Sequence, residues 1–299
     1  MLLLIEPGTR VPLTAKPLHP FFAAELSGVD LRRPLDPGTI AEITAAFVGY
    51  GVCVFRNAAP LSDEEHIAFT RHFGPLQQQK MLNMLGKVRS RLEYPELIDV
   101  GNLGADGAIL PDGDRRRAFG RGNLLWHADV SFDAIRATHS MLSAHIVPPG
   151  GADTEYADMR AAYDALPAAR KAEIEDLVAE HSIWHSRALM GLTAVSDEEK
   201  ATRPPARHRL VHVRPGSRQK SLFIASHASH IVGWPREKGR ALLDELTAIA
   251  TRPEFVYRHE WRVGDLVVWD NLATMHRGTP FDDTKHPRDM RRTTVLEAG

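Results

Sequence analysis

The chain has 299 residues, of which 43% are hydrophobic and 25% charged, so it can bury a core without disulfide or metal staples. Its 37 basic and 38 acidic residues give a formal net charge of -1, which argues against a protein that binds nucleic acid through a basic surface. The single cysteine, Cys53, excludes an intrachain disulfide and a zinc site built from several thiolates.

The first five residues are apolar, but this run ends at Glu6-Pro7-Gly8. It is too short for a signal peptide or a membrane span, and no other apolar run reaches the length that either needs. We therefore expect a cytoplasmic protein with no membrane partner and no nucleic-acid partner. The sequence contains no internal repeat and no low-complexity linker, and we expect one domain over residues 1–299.

Two helices and a strand are predicted in the first third. Residues 37–48 have a helical pattern, and Ser62 to Glu65 form a capping box that opens a second helix towards Phe73. Between them residues 51–55 are apolar and β-branched, as in a short strand. Cys53 lies in this strand, so we expect it to be an inert core residue.

Residues 101–122 lack periodicity, are rich in Gly and Asp, and contain Arg115-Arg116-Arg117. A loop of this length is either a functional lid or a solvated surface excursion, and the sequence leaves both open. We expect residues from Lys80 to Gly122 to influence which substrate is accepted.

Short strands dominate the remainder of the chain. They are predicted at residues 140–147, 153–158, 210–214, 221–225, 255–261, 266–270 and 291–297, with helices at 168–180 and 237–250. Strands spread in this way, without regular β-α alternation, indicate a mainly β fold with flanking helices (α+β), either an antiparallel barrel or a jelly roll. No G-x-G-x-x-G or P-loop motif supports a nucleotide-binding fold.

The sharpest local motif is Trp126-His127-Ala128-Asp129. On an extended segment, His127 and Asp129 point to the same face and supply two ligands of a metal site. The best third ligand is His276, after the predicted strand at 266–270 and a turn at 271–275. Two histidines and one carboxylate on one face leave open positions on iron(II).

Arginines follow this histidine in the run from Pro287 to Thr293. On a strand, Arg288, Met290 and Arg292 share one face, and Arg291 points away. A guanidinium inside a barrel can hold a carboxylate bidentately, and Thr154 can add a hydroxyl donor to the same group.

Several neighbouring residues keep two interpretations. Trp126 and Trp269 flank the metal motif and either pack beside the site or belong to the core. His227 and His230 form either a second metal pair or part of a loop or substrate pocket. Phe132 lines either the substrate pocket or the core.

The sequence resembles the taurine dioxygenase group of 2-oxoglutarate-dependent oxygenases. The resemblance is carried by the motif around His127, by Thr154 and His276, and by residues 264–271 and 288–292. The resemblance extends over about residues 21–296. Within the group, the chain is most similar to the members that cleave aryloxyalkanoates such as 2,4-dichlorophenoxyacetate. The most similar stretches are residues 140–144, 158–167, 225–230 and 255–259.

This resemblance implies a double-stranded β-helix, a jelly-roll barrel flanked by helices. His127, Asp129 and His276 correspond to the iron ligands, and Thr154 and Arg288 to the residues that bind the far carboxylate of 2-oxoglutarate. The interval from His276 to Arg288 is one residue longer than expected, so Arg291 is the alternative. By the same resemblance, Arg292 corresponds to the residue that holds the substrate anion, and Asn123 to a substrate contact near the metal.

The implied activity is that of an Fe(II)- and 2-oxoglutarate-dependent dioxygenase that uses O2. It would hydroxylate the carbon beside the ether oxygen of an aryloxyalkanoate and release a phenol, glyoxylate, succinate and CO2. Related halogenases lack the carboxylate found at Asp129, so hydroxylation is favoured over halogenation.

Three points stay open at this stage. The first alternative is a taurine, alkylsulfonate or alkyl sulfate dioxygenase, and the second is a metal-binding, ligand-sensing jelly roll without turnover. The expected partner is a small carboxylate-bearing molecule. A homo-oligomer is also open, because relatives often form dimers or larger assemblies.

Overall fold

The structure, a computed structural model, describes residues 12–78 and 90–298. In these residues the strands are β1 (Thr14–Pro17), β2 (Ala24–Ser27), β3 (Val52–Arg56), β4 (Ile98–Asp99), β5 (Ala137–Ile146), β6 (Thr154–Asp158), β7 (Val178–His181), β8 (Ala206–Arg209), β9 (Val211–Val213), β10 (Lys220–Leu222), β11 (Ala228–Ile231), β12 (Val256–His259), β13 (Asp265–Asp270), β14 (Thr274–Gly278) and β15 (Asp289–Leu296). The helices are α1 (Pro37–Tyr50), α2 (Asp63–Arg71), α3 (Arg115–Gly120), α4 (Met159–Asp164), α5 (Ala168–Ile174), α6 (Ile183–Leu189), α7 (Asp197–Thr202) and α8 (Arg236–Ala250), with short 3-10 helices at Arg121–Leu124 and Pro253–Phe255.

Seven strands form the largest sheet, in the order β1-β2-β3-β13-β5-β15-β4. Both of its faces are covered, because alternate residues of each strand enter different cores. Cys53 and Phe55 pack with residues of α1 and α2, whereas Val52 and Val54 pack on the opposite face. This explains the continuous apolar runs of the central strands. Cys53 is fully buried, and burial raises the pKa of its thiol, in agreement with an inert core residue.

A smaller sheet, β12-β6-β14, packs against the inner face of the large sheet. Tyr156 of β6 meets Trp269 of β13 in this core, at a ring-centroid distance of 5.7 Å. Two sheets packed face to face, with helices outside, form the jelly roll that the sequence predicts. The cavity described below opens between these two sheets.

The helix signals in the first third are confirmed. Asp36 caps α1 by accepting hydrogen bonds from two backbone N–H groups, and Gly51 ends that helix at a φ of 71°. The capping box between Ser62 and Glu65 is present at the start of α2. This helix ends at Arg71, slightly earlier than predicted.

The predicted helix at residues 168–180 is wrong in its second half. Helix α5 ends at Ile174, and residues 178–181 form β7, which pairs with β8 and β11. Long-range strand pairing overrides the helical pattern here. The other predicted strands are present, with ends shifted by a few residues.

Two further corrections concern the site. Residues 101–122 are not entirely irregular, because Asp114 caps α3 and a 3-10 helix follows it. His276 does not follow a turn that extends to Met275, because β14 begins at Thr274 and pairs with β6. The apolar residues 1–5 and the stretch 79–89, which includes Lys80, lie outside the described residues. In the described ranges, no helix combines the length and apolar character needed to cross a bilayer.

Candidate metal and co-substrate site

His127, Asp129 and His276 come together at the wall of the cavity. Each offers one ligand atom, and these atoms all lie within 4.8 Å of one another. The backbones of the two histidines are joined by reciprocal hydrogen bonds, with N···O distances of 2.9 Å from His127 and 2.8 Å from His276. This bridge brings residues far apart in the sequence to one point, and all three side chains are buried.

The local hydrogen bonding suits both imidazoles to metal binding. The carbonyl of Leu125 lies 2.7 Å from Nδ1 of His127, so Nδ1–H donates and the lone pair of Nε2 is left free. Nε2 lies 3.9 Å from Oδ1 of Asp129, and Nε2 of His276 lies 3.8 Å from Oδ2. Burial lowers the pKa of His127, and it lowers that of His276 well below its usual value. Both rings are therefore neutral, as ligands must be.

Asp129 is held by a small polar network. Its backbone N–H donates to the side-chain oxygen of Asn271 (3.0 Å), and the Ser140 hydroxyl donates to Oδ2 (2.7 Å). The indole N–H of Trp269 fixes Asn271 (3.1 Å). The Arg292 guanidinium forms an ion pair with Oδ1. Burial alone would raise the pKa of Asp129, but the charge of Arg292, the two histidines and the Ser140 hydrogen bond together outweigh it and lower this pKa. The carboxylate is thus ionised and available to a cation.

The residues present fit a bound iron(II). Two neutral nitrogens and one carboxylate on the wall of a cavity of about 410 Å³ are the donor set that non-haem iron oxygenases use. The cavity leaves room beside the three ligands for other molecules.

One end of the cavity carries Thr154 and Arg288. The hydroxyl oxygen of Thr154 accepts a hydrogen bond from the indole N–H of Trp261 (3.0 Å), so its own O–H is free to donate. Arg288 donates to the carbonyl of Val100 (2.5 Å), and its backbone N–H donates to Asn102 (2.8 Å). Burial lowers the pKa of Arg288 to about 10, which leaves it charged at neutral pH. This end fits a carboxylate.

The structure places Arg291, the alternative to Arg288, outside the cavity. Arg291 points to the other face of β15, where it forms ion pairs with Asp63 (2.6 Å) and Asp289 (3.2 Å). Arg288 and Arg292 line the cavity, as expected for alternate positions on an extended segment.

The other sequence candidates divide into two sets. Asn123 and Phe132 line the cavity, and His227 does so as well. The Trp269 ring lies 4.6 Å from that of His276, centroid to centroid, beside the metal residues as expected. The half-buried Trp126 instead packs under the guanidinium of Arg277, which lies 4.8 Å from the ring centroid.

The sequence matches the profile described as "Taurine catabolism dioxygenase TauD, TfdA family" over residues 14–294. The chain belongs to this family of dioxygenases. It is 45% identical, over 95% of this chain and 98% of the relative, to the "Alpha-ketoglutarate-dependent 2,4-dichlorophenoxyacetate dioxygenase" of Cupriavidus pinatubonensis (strain JMP 134 / LMG 1197). It is 43% identical to the protein of the same name from Burkholderia sp. (strain RASC), over 93% of both chains.

A crystal structure of AAD-2 in complex with Mn(II) and N-oxalylglycine superposes with a TM-score of 0.92. The sequence identity is 45%, and the match covers 96% of this chain and 98% of the other. N-Oxalylglycine is an analogue of 2-oxoglutarate. The present chain is a 2-oxoglutarate-dependent non-haem iron dioxygenase with O2 as its second co-substrate. The jelly roll, the reaction class and the cofactors expected from the sequence are thereby confirmed.

One side of the cavity is covered by the segment that the sequence left open as either a lid or a surface loop. Residues 101–124 are tied to the loop before β15. Asn102 donates to the carbonyls of Asp283 (2.8 Å) and His286 (2.9 Å), and Arg117 forms ion pairs with Asp283 (2.7 Å) and Asp112 (2.6 Å). The segment is therefore a wall of the site, and its action as a lid stays a prediction.

Sequence reasoning missed two groups in this dioxygenase. Ser140 and Asn271 lie in stretches that resemble the family, but their support of Asp129 was missed because it depends on how β5 and β13 align. Arg187 also lines the cavity, on the short helix α6. Nothing in the sequence distinguishes it from the other arginines, since the packing of α6 is what brings it to the site.

Proposed function

We propose that this dioxygenase hydroxylates the carbon beside the ether oxygen of an aryloxyalkanoate such as 2,4-dichlorophenoxyacetate. The observation that carries this proposal is the 45% identity over nearly the whole chain to a relative named for that substrate. A cavity that combines cationic groups with apolar walls supports it. From 2,4-dichlorophenoxyacetate the products would be a phenol, glyoxylate, succinate and CO2.

We further propose that His127, Asp129 and His276 hold Fe(II). When bound, Fe(II) would supply the oxygen-activating chemistry by which O2 converts 2-oxoglutarate to succinate and CO2, with one oxygen atom going to succinate and the other into a substrate C–H bond. Asn271 and Ser140 keep Asp129 in one orientation, and supporting hydrogen bonds of this kind commonly change metal affinity by about 10- to 100-fold.

Arg288 and Thr154 would bind the far carboxylate of 2-oxoglutarate through a charge-assisted hydrogen-bond pair. Both side chains are held by other contacts, Arg288 through Val100 and Thr154 through Trp261. Their part is therefore positioning, which brings the keto acid to the metal residues in one orientation.

The substrate would occupy the opposite part of the cavity. Arg292 would attract its carboxylate and Asn123 would contact it near the metal. Leu110, Phe119 and Phe132 supply apolar surface for an aryl ring and displace water. Hydroxylation gives a hemiacetal, which loses its hydroxyl proton and breaks the bond to the aryl oxygen. The aryl oxygen leaves with a proton as the phenol, and the remaining carbons form glyoxylate.

We also propose that the enzyme works in the cytoplasm, where Fe(II) and 2-oxoglutarate are available. Assembly as a homo-oligomer stays a prediction, as does the single domain over residues 1–299.

The test is anaerobic reconstitution with Fe(II) and 2-oxoglutarate, followed by O2 and one of several candidate substrates. The panel contains phenoxyacetates, phenoxypropionates, taurine and an alkyl sulfate. We expect succinate and phenol in equal amounts from an aryloxyalkanoate, with loss of both in His127→Ala. The exposed His72→Ala serves as the matched control and should keep both products. Succinate with sulfite or sulfate, and no phenol from any aryloxyalkanoate, would overturn the substrate assignment.

A further inference from the structure

Arg187 is a buried arginine on the cavity wall without an acidic partner among the described residues. The residue is only 4% exposed. Within the described ranges its side chain makes one hydrogen bond, from Nη1 to the hydroxyl of Ser186 (3.2 Å), and its Nε–H is buried without an acceptor. A guanidinium has five N–H donors, and buried charges are normally paired. Arg187 therefore has donors available for an anion that enters the cavity.

Packing holds this guanidinium in place. Ile183 and Trp184 anchor α6 against Phe119 and Phe132, and Arg187 lies on the same helical face. Its guanidinium lies over the Phe119 ring, 4.4 Å from the centroid. The cationic group and the aromatic surface are thus adjacent, as an aryl carboxylate requires.

Gly122 makes room for the guanidinium. A Cβ atom at this position would overlap Nη1 of Arg187. The space that Arg187 occupies therefore depends on the absence of a side chain at Gly122, and any residue larger than glycine would push the guanidinium away.

Arg187 and Arg288 serve different parts of the cavity. Burial lowers the pKa of Arg187 to about 10; repulsion from Arg292 acts in the same direction, and attraction from Asp129 opposes it. The pKa of Arg288 responds instead to Tyr156 and Asp99. Arg187 thus lies near the metal residues but apart from the proposed far-carboxylate site. Arg292 differs from it, because its guanidinium already contacts Asp129.

We propose that Arg187 binds the carboxylate of the substrate and makes the enzyme select acids over neutral aryl ethers. Phe119 beside it contacts the aryl part, and Arg292, whose guanidinium contacts Asp129, would attract the same carboxylate from the side of the metal residues. This inference rests on the proposed function and adds a specificity-determining residue to it.

The experiment measures substrate binding by calorimetry under anaerobic conditions, with Fe(II) and 2-oxoglutarate bound. Phenoxyacetate is compared with its neutral amide in the wild type, in Arg187→Met and in Arg187→Lys. Losing a buried charge-assisted contact should raise the Kd of the acid about 30-fold or more in Arg187→Met. The Kd values of the amide and of the keto acid co-substrate should change by less than about threefold, and Arg187→Lys should recover part of the loss.

A second pair of variants keeps Arg187 itself. Gly122→Ala should displace the guanidinium and raise the Kd of the acid by about 10-fold, with little effect on the amide. Gly120→Ala is the matched control, because a Cβ atom there meets nothing within 4 Å. It should bind both ligands like the wild type.

The outcomes separate the two proposals. If Arg187→Met weakens acid and amide equally, or weakens 2-oxoglutarate instead, the assignment of Arg187 is wrong although the proposed function stands. The wild type could instead bind an alkyl sulfonate and no aryloxyalkanoate. If Arg187→Met then no longer binds the sulfonate, Arg187 binds anions as proposed, but the proposed substrate class is wrong. If the wild type binds neither, both proposals fail.

Discussion

The co-substrate end of the cavity is carried by sheets, whereas the substrate end is carried by short helices. Thr154 opens β6 and Arg288 directly precedes β15, and both positions are set by strand pairing. Asn123 and Arg187 lie on a 3-10 helix and on α6, whose placement depends on side-chain packing alone. Strand register places a residue tightly, while short helices can shift as their packing changes. We infer that the first end suits one invariant ligand and the second suits ligands that differ between enzymes.

The two ends also differ in electrostatic support. Behind the co-substrate end, Arg91 joins Asp99 (2.7 Å) and Asp289 (2.6 Å) in a network of ion pairs. Behind the substrate end, the buried His227 and His181 have no acidic partner among the described residues, and burial lowers the pKa of both. Paired charges therefore lie behind the co-substrate end, and the imidazoles of His227 and His181 behind the substrate end are neutral.

The largest expected effect is a loss of 2-oxoglutarate affinity without a loss of affinity for the ligand at the substrate end. Arg288→Met should weaken the binding of 2-oxoglutarate by about 100-fold, because it removes a buried charge from the proposed carboxylate site. Anaerobic calorimetry should find the affinity for the amide of phenoxyacetate unchanged. Arg291→Met is the control, since this residue points away from the cavity, and it should bind 2-oxoglutarate normally. A larger loss in Arg291→Met would reverse the assignment.

A second variant acts on the metal residues between the ends. Asn271→Ala removes the acceptor of the Asp129 N–H and should lower Fe(II) affinity by about 10-fold or more. Metal titration followed by ligand binding at saturating Fe(II) checks this. Both ligands should then bind with their wild-type ratio of affinities. If the affinity for only one of the two ligands fell at saturating Fe(II), Asn271 would act on that ligand's binding site and not on the metal residues.

Acid should lower the free energy of unfolding through the buried His181. Burial lowers the pKa of His181 to about 3 from 6.5, so below pH 6.5 the unfolded chain binds a proton that the folded chain does not. The free energy of unfolding should fall by about 1.4 kcal/mol per pH unit from this group. Urea unfolding at pH 7.5 and 5.5 should show a smaller loss in His181→Phe than in the wild type.

The carboxylate of Asp289 should respond only at lower pH. Burial raises the pKa of Asp289, but hydrogen bonds from Arg91 and Arg291 outweigh this and lower it to about 2 from 3.8. Its stabilisation is complete above pH 3.8 and is lost as the pH falls towards 2. Equal pH slopes for the wild type and His181→Phe between pH 7.5 and 5.5 would contradict the contribution assigned to His181.

The smallest effect concerns the wall formed by residues 101–124. Arg117→Gln breaks the partly exposed pairs with Asp112 and Asp283, which should raise the KM for the aryloxyalkanoate about threefold. The KM for the keto acid co-substrate should stay constant. Arg115→Gln, which breaks a pair with Glu199 outside this loop contact, is the control for charge. An equal rise in both KM values would show that the wall serves the two ends alike.

The sequence predicted the strand-borne half of the site best. The spacing of His127 and Asp129, and the alternation from Arg288 to Arg292, fix which side chains share a face because extended backbone repeats every two residues. His276 was found even though its surroundings were misjudged, since β14 replaces the predicted turn.

The helix-borne half was harder for physical reasons. Arg187 reaches the cavity because α6 follows β7, and the pattern at residues 168–180 predicted a helix where β7 begins. Residues 101–122 hide a helix that depends on the cap at Asp114. Such features follow from tertiary packing, which local periodicity does not encode. The expectation that Lys80 to Gly122 influence specificity remains a prediction, and residues 79–89 of it lie outside the described residues.

The most direct test is an anaerobic titration of the Fe(II) enzyme followed by visible absorption. We predict a band that appears when 2-oxoglutarate is added, shifts when 2,4-dichlorophenoxyacetate is added, and is absent in His276→Ala. Such a result would place metal, co-substrate and substrate in one cavity. No band with 2-oxoglutarate, or a band that ignores every aryloxyalkanoate, would contradict the proposed site and its substrate.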